Sequence, residues 1–445
     1  MTMNKKTKLN RRKFLQTSSA AATFTILPAG SARTYAANEK VNVAIVGTGG
    51  IGSADTKGCA KAGANIAALC DVDRRRIRGA REHPKARLYA DFREMLDKEH
   101  KHLDGVVVAT PDHTHASISI AAMRRGLHCY CQKPLSHNAW EAKRMAEVAA
   151  EEKVITMIGS PMICDSRAEG YRAQREAVLA EAAGGVVESH VGVDHTPCVL
   201  GASRPAGSDP VPERLNWDLW LGPAPQRPFV AHWPEDHSVR QQKSWAARIY
   251  HKKDDVYHPF VWRGWWDFGT GLVGDLGAHS FNQTFYTLEL DQPIAVECLD
   301  AGPFTEDMYP EWCVLRWDYP ARGKHPPLSL FWYQGKWHDG DWGKAQGGRR
   351  KAGWVYSKEK PGKLPDATGG ALEATTGDWL DGIRTSRNPA GDFAFSAKVA
   401  IGIALGNIAL RTRSRIKWDA ATFDIPNDEV ANQHVRPARR KGWEI

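Results

Sequence analysis

The chain has 445 residues, 42% of them hydrophobic, enough to bury a large core and to divide into two domains. Its formal charge of +9 is concentrated at the start: residues 1–37 carry seven Lys and Arg and no acid, which leaves about +2 for the remainder and argues against a nucleic-acid partner. The eight cysteines form no C-x-x-C pair, which excludes a zinc ribbon and a small disulfide scaffold, and they are expected as buried small hydrophobes.

The basic run Lys5, Lys6, Lys8, Arg11, Arg12 and Lys13 gives way to an uncharged, small-residue stretch that reaches Pro28. That stretch is too short and too weakly apolar for a permanent membrane anchor and reads as an export signal over 1–36, cut near Ala32 or Ala36. Residues 10–16, NRRKFLQ, resemble the twin-arginine motif, whose translocase carries proteins already folded in the cytoplasm. Periplasmic delivery is therefore expected, and no other segment reads as transmembrane.

A buried strand at 41–46 runs straight into Gly47-Thr48-Gly49-Gly50-Ile51-Gly52, followed by a helical stretch at 53–62. In that context the glycines have distinct work: a tight turn at Gly47, close approach of backbone to a pyrophosphate at Gly49, and close packing of helix on strand at Gly52. A second strand, 65–70, ends at Asp71, twenty-four residues after Gly47 and placed to accept ribose hydroxyls. Asp71 points to NAD, whereas Arg74, Arg75 and Arg76 keep NADP open. Strands at 105–110, 127–131 and 154–158 alternate with helices at 116–125 and 139–152. This predicts a doubly wound parallel sheet over 40–162, with Thr110, Pro111 and His115 on the cofactor side. His113 and His115 resemble a metal pair without a third ligand, and Asp112 reads as a helix cap.

The series GTGGIG, CDVD, ATPDHTH and QKPL, with GTGLVGDLGAH at 269–279, resembles the glucose-fructose oxidoreductase, inositol dehydrogenase and rhizopine catabolism family, Gfo/Idh/MocA. The resemblance implies an N-terminal NAD(P)-binding domain and a C-terminal α+β domain built on a large, mostly antiparallel sheet. It places the family's E-K-P lysine on Lys133 and its D-x-G-x-H pair on Asp275 and His279. Two positions depart from the pattern: Gln132 replaces the usual glutamate before the lysine, and Asn282 stands where many relatives carry an acid and contact substrate.

In the second domain, 163–425, a helix is expected at 166–183, strands at 186–194, 294–299, 312–319 and 328–333, and helices at 377–383 and 399–410. Residues 335–370 read as a long loop and 426–445 as a C-terminal tail. Oxidising a secondary alcohol needs a base for the hydroxyl proton. If Asp275 opens a helix, its carboxylate can orient the His279 ring, while Lys133 polarises the substrate oxygen. Among the seventeen tryptophans, Trp262 is the candidate sugar platform and Arg263 the residue to hold a hydroxyl or carboxylate.

These readings together imply a sugar as substrate, a homo-oligomer and no metal. A cofactor carried through export must be recycled in place. The net reaction is then a hydride exchange between two substrates, or a redox-neutral glycosidase, lyase or epimerase reaction through a transient keto-sugar. A noncatalytic sugar-binding protein is the reading of a different class.

Overall fold

A computed structural model describes residues 40–161, 163–165, 185–193, 198–241, 256–323, 325–335, 350–355, 361–363 and 372–445, together with a few helical residues between 172 and 180. The export signal expected over 1–36 and most of the helix expected at 166–183 lie outside the described residues.

The first domain is a six-stranded parallel sheet. Its strands are β1 (Asn42–Val46), β2 (Asn65–Cys70), β3 (Arg87–Tyr89), β4 (Gly105–Val108), β5 (His128–Gln132) and β6 (Thr156–Gly159), in the order β3-β2-β1-β4-β5-β6. Helices cover both faces, so the central strands read as unbroken apolar runs: β4 is Gly-Val-Val-Val, buried throughout. The helices are α1 (Ile51–Lys61), α2 (Phe92–Glu99), α3 (His115–Met123) and α4 (Ala139–Glu152). Side chains stop two of them cleanly at the N-terminus, Asp91 accepting from Arg93 N and Asn138 from Glu141 N. Strand order reverses between β1 and β4, and the crevice at their C-terminal ends is where such sheets bind ligands.

The second sheet has seven strands in the order β12-β11-β7-β10-β9-β8-β13. They are β7 (Glu188–Val193), β8 (Ala295–Ala301), β9 (Cys313–Tyr319), β10 (Leu328–Gln334), β11 (Arg350–Val355), β12 (Pro361–Lys363) and β13 (Arg415–Lys417). All pairings are antiparallel except β7 with β10. The long loop expected at 335–370 thus carries two strands among its described residues, β11 and the edge strand β12. A short helix α5 (Trp217–Leu221) follows β7 in the chain, and against the sheet lie α6 (Gly271–Asp275) and α7 (Gly277–Leu288).

The chain then returns to the first domain. Helix α8 (Leu372–Thr385), longer than the expected 377–383, lies on α1: a Cβ on Gly58 would stand 2.5 Å from Thr376 Oγ1, and Trp379 packs under Gly105 and Tyr130. Helix α9 (Phe393–Thr412) begins six residues before its expected start at 399, because Asp392 accepts from Phe395 N and caps it there. It is long and apolar enough to cross a membrane by length and composition, but it is the buried helix between the two domains. Trp317 Nε1 of the second sheet donates to Gly402 O at 2.7 Å, and Asn407 Nδ2 donates to Thr270 O at 2.9 Å beside α6. A helix apolar on every side is what a position between two packed layers requires. The last helix, α10 (Glu429–Gln433), leads into the C-terminal segment. None of the eight cysteines, all of them described, forms a disulfide, and all but Cys298 are buried.

Candidate active site

The turn after β1 is built for close approach. Gly47 has φ +82°, and a Cβ there would stand 2.6 Å from Ala109 O; a Cβ on Gly52 would stand 1.8 Å from Gly47 O, so α1 could not seat against β1 with any other residue. Gly47, Gly49, Gly50 and Ile51 line a cavity of about 610 Å³ at the strand C-termini. Gly52 sits behind that wall and serves the packing of helix on strand. The Arg76 guanidinium lies over Gly49, adding a cation to the N-terminal end of α1.

Asp71, at the end of β2, also faces the cavity. Oδ2 accepts from Thr48 N at 2.9 Å and from Thr48 Oγ1, and Oδ1 accepts from Asp73 N at 2.9 Å. Two oxygens with about four acceptor sites leave room for one more donor. Burial raises its carboxyl, a shift that these hydrogen bonds partly offset. Arg75 is turned away, its guanidinium bonded to Asp73, which also accepts from His258 Nε2 at 3.2 Å. Anion-binding backbone, an adjacent cation and a ribose-facing carboxylate fit a dinucleotide. With Arg75 engaged and a carboxylate on the ribose side, they fit NAD rather than its 2′-phosphorylated form.

At the other end of the cavity, β5 delivers Lys133 and α6 delivers Asp275. Lys133 Nζ donates to Asp275 Oδ1 at 2.7 Å and to the Asp275 carbonyl, and Arg263 Nε stands 3.5 Å from the same Oδ1. Burial would push the Asp275 carboxyl up, but Lys133 and Arg263 outweigh it and hold the group well below the usual carboxylate range. His279 lines the same wall. Asp275 closes α6 rather than opening a helix, and its carboxylate is turned to Lys133, so it works as the lysine's counter-charge more than as a bracket for the imidazole.

Arg263 is clamped between rings, its guanidinium carbon 3.9 Å from the Phe260 centroid and 4.2 Å from that of Trp262. Trp262 does line the cavity, yet this contact gives it a second task, steering Arg263 toward Asp275. Two expected contacts fall outside the wall. Asn282 is fully buried and donates from Nδ2 to Ser160 Oγ at 3.0 Å, a packing role on α7. His115 is fully buried, with Nδ1 2.9 Å from Pro134 O and Nε2 2.9 Å from Thr110 O; it ties the ends of β4 and β5 together while Thr110 and Pro111 do the lining.

Other wall residues have partners that their sequence surroundings do not announce. Asp112 is no helix cap: it accepts from Thr270 Oγ1 at 2.7 Å, and burial pushes it up to about 6. Gln132 gives its amide nitrogen to both oxygens of Asp55 on α1, at 3.0 and 2.9 Å. Leu219, Trp220, His258 and Trp443 complete the cavity from the second domain and the C-terminal segment. The His113 ring nitrogens lie 3.2 Å from Phe268 O and 3.0 Å from Trp220 O, joining the domains, and no group of three metal-ligating side chains occurs among the described residues.

Two family models match this chain, one described as an oxidoreductase family with NAD-binding Rossmann fold over residues 41–160, the other as the same family's C-terminal alpha/beta domain over 244–445. The chain belongs to the Gfo/Idh/MocA oxidoreductase family. Among curated Gfo/Idh/MocA-like relatives, it is 29% identical over 156 residues to inositol 2-dehydrogenase of Rubrobacter xylanophilus, covering 35% of this chain and 43% of that one. It is 33% identical over 156 residues to the same enzyme of Paracoccus denitrificans, covering 34% and 44%. The match therefore spans less than half the length of these relatives. Among solved structures, the WlbA dehydrogenase of Bordetella pertussis with NADH and UDP-GlcNAcA superposes with a TM-score of 0.56 at 15% identity, covering 86% of this chain and 99% of that one. A levoglucosan dehydrogenase with NADH and levoglucosan gives 0.54 at 16% identity, covering 85% and 99%. At such identities the likeness shows the Gfo/Idh/MocA fold.

Proposed function

We propose that this chain is an exported NAD-dependent oxidoreductase that oxidises a secondary alcohol of a sugar or polyol and keeps its cofactor bound between turnovers. The observation that carries this reading is the meeting of Lys133, Arg263, Asp275 and His279 in one cavity with the glycine turn. NAD, when bound, supplies the acceptor for the hydride leaving the carbinol carbon. Lys133 donates to the substrate oxygen, and its ammonium meets the negative charge that grows there. His279 takes the hydroxyl proton. Asp275 stays ionised through neutral pH and fixes the lysine in place, while Arg263 offers its remaining N–H groups to a neighbouring substituent. The inositol and levoglucosan dehydrogenases among the relatives support a polyol or sugar as substrate.

Export rests on Arg11 and Arg12 ahead of the uncharged run, and retention follows from export, since free NAD is not replenished outside the cytoplasm. The test is direct. The mature protein is purified without added cofactor, denatured, and the supernatant examined by mass spectrometry for NAD(H) and NADP(H). The intact protein is then offered sugars, polyols and glycosides while reduced nicotinamide is followed by absorbance. Release of NAD(H), with reduction that persists until a second carbonyl substrate is added, is the expected outcome. A protein that binds neither cofactor overturns the reading. Free sugar released from glycosides without net reduction replaces it with the redox-neutral one.

A further inference from the structure

The final twenty residues, which read as a tail, come back over the first domain. Trp140 N donates to Val435 O at 3.2 Å, and Arg439 reaches the buried Glu141 carboxylate in the first turn of α4. Arg440 binds backbone at the end of α5, with Nε on Gly222 O at 2.9 Å and Nη2 on Asp218 O at 2.7 Å, while its own N–H donates to Pro223 O at 3.0 Å. These bonds seat Trp443, which is only 6% exposed. Its ring centroid is 5.9 Å from that of Phe92, and the Arg93 guanidinium lies 4.6 Å from it on α2.

The place of Trp443 in the cavity follows from sheet order. Lys133 leaves β5, two strands beyond β1 on one side; Asp71 leaves β2 and Phe92 follows β3, on the other. Trp443 packs on Phe92 and both line the cavity, so it stands on the Asp71 side of β1 and away from the strand that delivers Lys133. Two packed aromatic rings in the cavity wall on the ribose-carboxylate side are chemically suited to a flat purine.

We propose that the C-terminal segment is part of the cofactor site, with Trp443 walling the adenine compartment and setting how slowly NAD leaves. This rests on the reading of the cavity as an NAD site. Trp443 is a cofactor-retaining residue, and Arg440 is the positioning residue that holds it.

The experiment uses the full-length mature chain loaded with NADH. Release is followed by stopped-flow fluorescence on displacement with excess NAD, and binding of ADP-ribose and of nicotinamide mononucleotide is measured separately by calorimetry. Trp443→Ala is expected to release NADH roughly tenfold faster or more, as loss of an aromatic partner for a base does elsewhere. Trp443→Phe should recover most of the difference, and Arg440→Ala should move in the same direction as Trp443→Ala. ADP-ribose binding should weaken by the same factor in Trp443→Ala, and binding of nicotinamide mononucleotide should not change, a split that general loosening of the fold would not produce. If Trp443→Ala does not fold, Arg440→Ala carries the test. Unchanged NADH release in folded Trp443→Ala or Arg440→Ala, or equal weakening of both fragments, overturns the proposal while leaving the cofactor reading intact. A wild-type chain that binds neither NADH nor ADP-ribose overturns that reading first.

Discussion

Asp55 offers a sharp test of how this site is organised. It is buried on α1, and both its oxygens accept from Gln132 Nε2. The groups around it are the Cys59 and Cys131 thiols and the Tyr130 phenol, all pushed upward by burial and therefore neutral at ordinary pH. Burial moves the Asp55 carboxyl from 3.8 to about 7, against the opposing pull of the Gln132 hydrogen bond. The folded chain thus holds this proton more tightly than the unfolded chain. The associated stability is complete below 3.8 and drains away as pH rises through about 7. Each pH unit across that interval removes about 1.4 kcal/mol, so roughly 4 kcal/mol is lost by pH 8. Asp55→Asn has no proton to lose. Urea unfolding of NAD-free protein, followed by tryptophan fluorescence from pH 4 to 8, should show the variant gaining on the wild type by about 4 kcal/mol across the series. A difference between the two proteins that stays constant with pH would refute the argument. The carboxyl is nonetheless well placed: an acceptor on α1 fixes the amide of Gln132, which stands in the cavity wall next to Lys133 in the chain.

Two further outcomes are expected. Lys133→Met should retain NAD but lose turnover by about 10²–10⁴-fold, and it should destabilise the fold by about 2 kcal/mol, less than a fully orphaned buried charge costs, because Arg263 still faces Asp275. Steady-state kinetics and denaturant melts check both. Replacing Arg11 and Arg12 with Lys should leave the chain in the cytoplasm on fractionation, and undiminished periplasmic delivery would count against the twin-arginine route.

The parts of this molecule legible in its sequence are those encoded by neighbours. The glycine turn reads directly because its three glycines stand within six residues between a strand and a helix, and Asp71 reads because β2 ends just before it. Lys133, Asp275 and His279 were reached through motif resemblance, since nothing local shows that residues 133 and 275 meet. Asp55 and Trp443 carry no local mark, and the motif around Asp112 reads only as a helix cap; their roles come from burial and from partners far along the chain, Gln132, Phe92 and Thr270. Strands β3, β12 and β13 are three residues each, too short for an alternating pattern to register. Asn282 shows the converse: homologous position suggested a substrate contact, but its side chain points into the core at Ser160.

The absence of disulfides among the eight cysteines bears on how such a protein would age. Nucleophiles toward peroxide, disulfides and alkylating agents are thiolates, and these form only near the thiol's own pKa. Burial pushes Cys129 up to about 12 and the partly exposed Cys298 up to about 11. At neutral pH about one Cys298 in ten thousand is then ionised, and fewer of Cys129. A chain folded under reducing conditions and then moved into an oxidising space would keep its sulfur chemistry dormant without disulfide partners, reductants or repair enzymes, for as long as the fold stays closed.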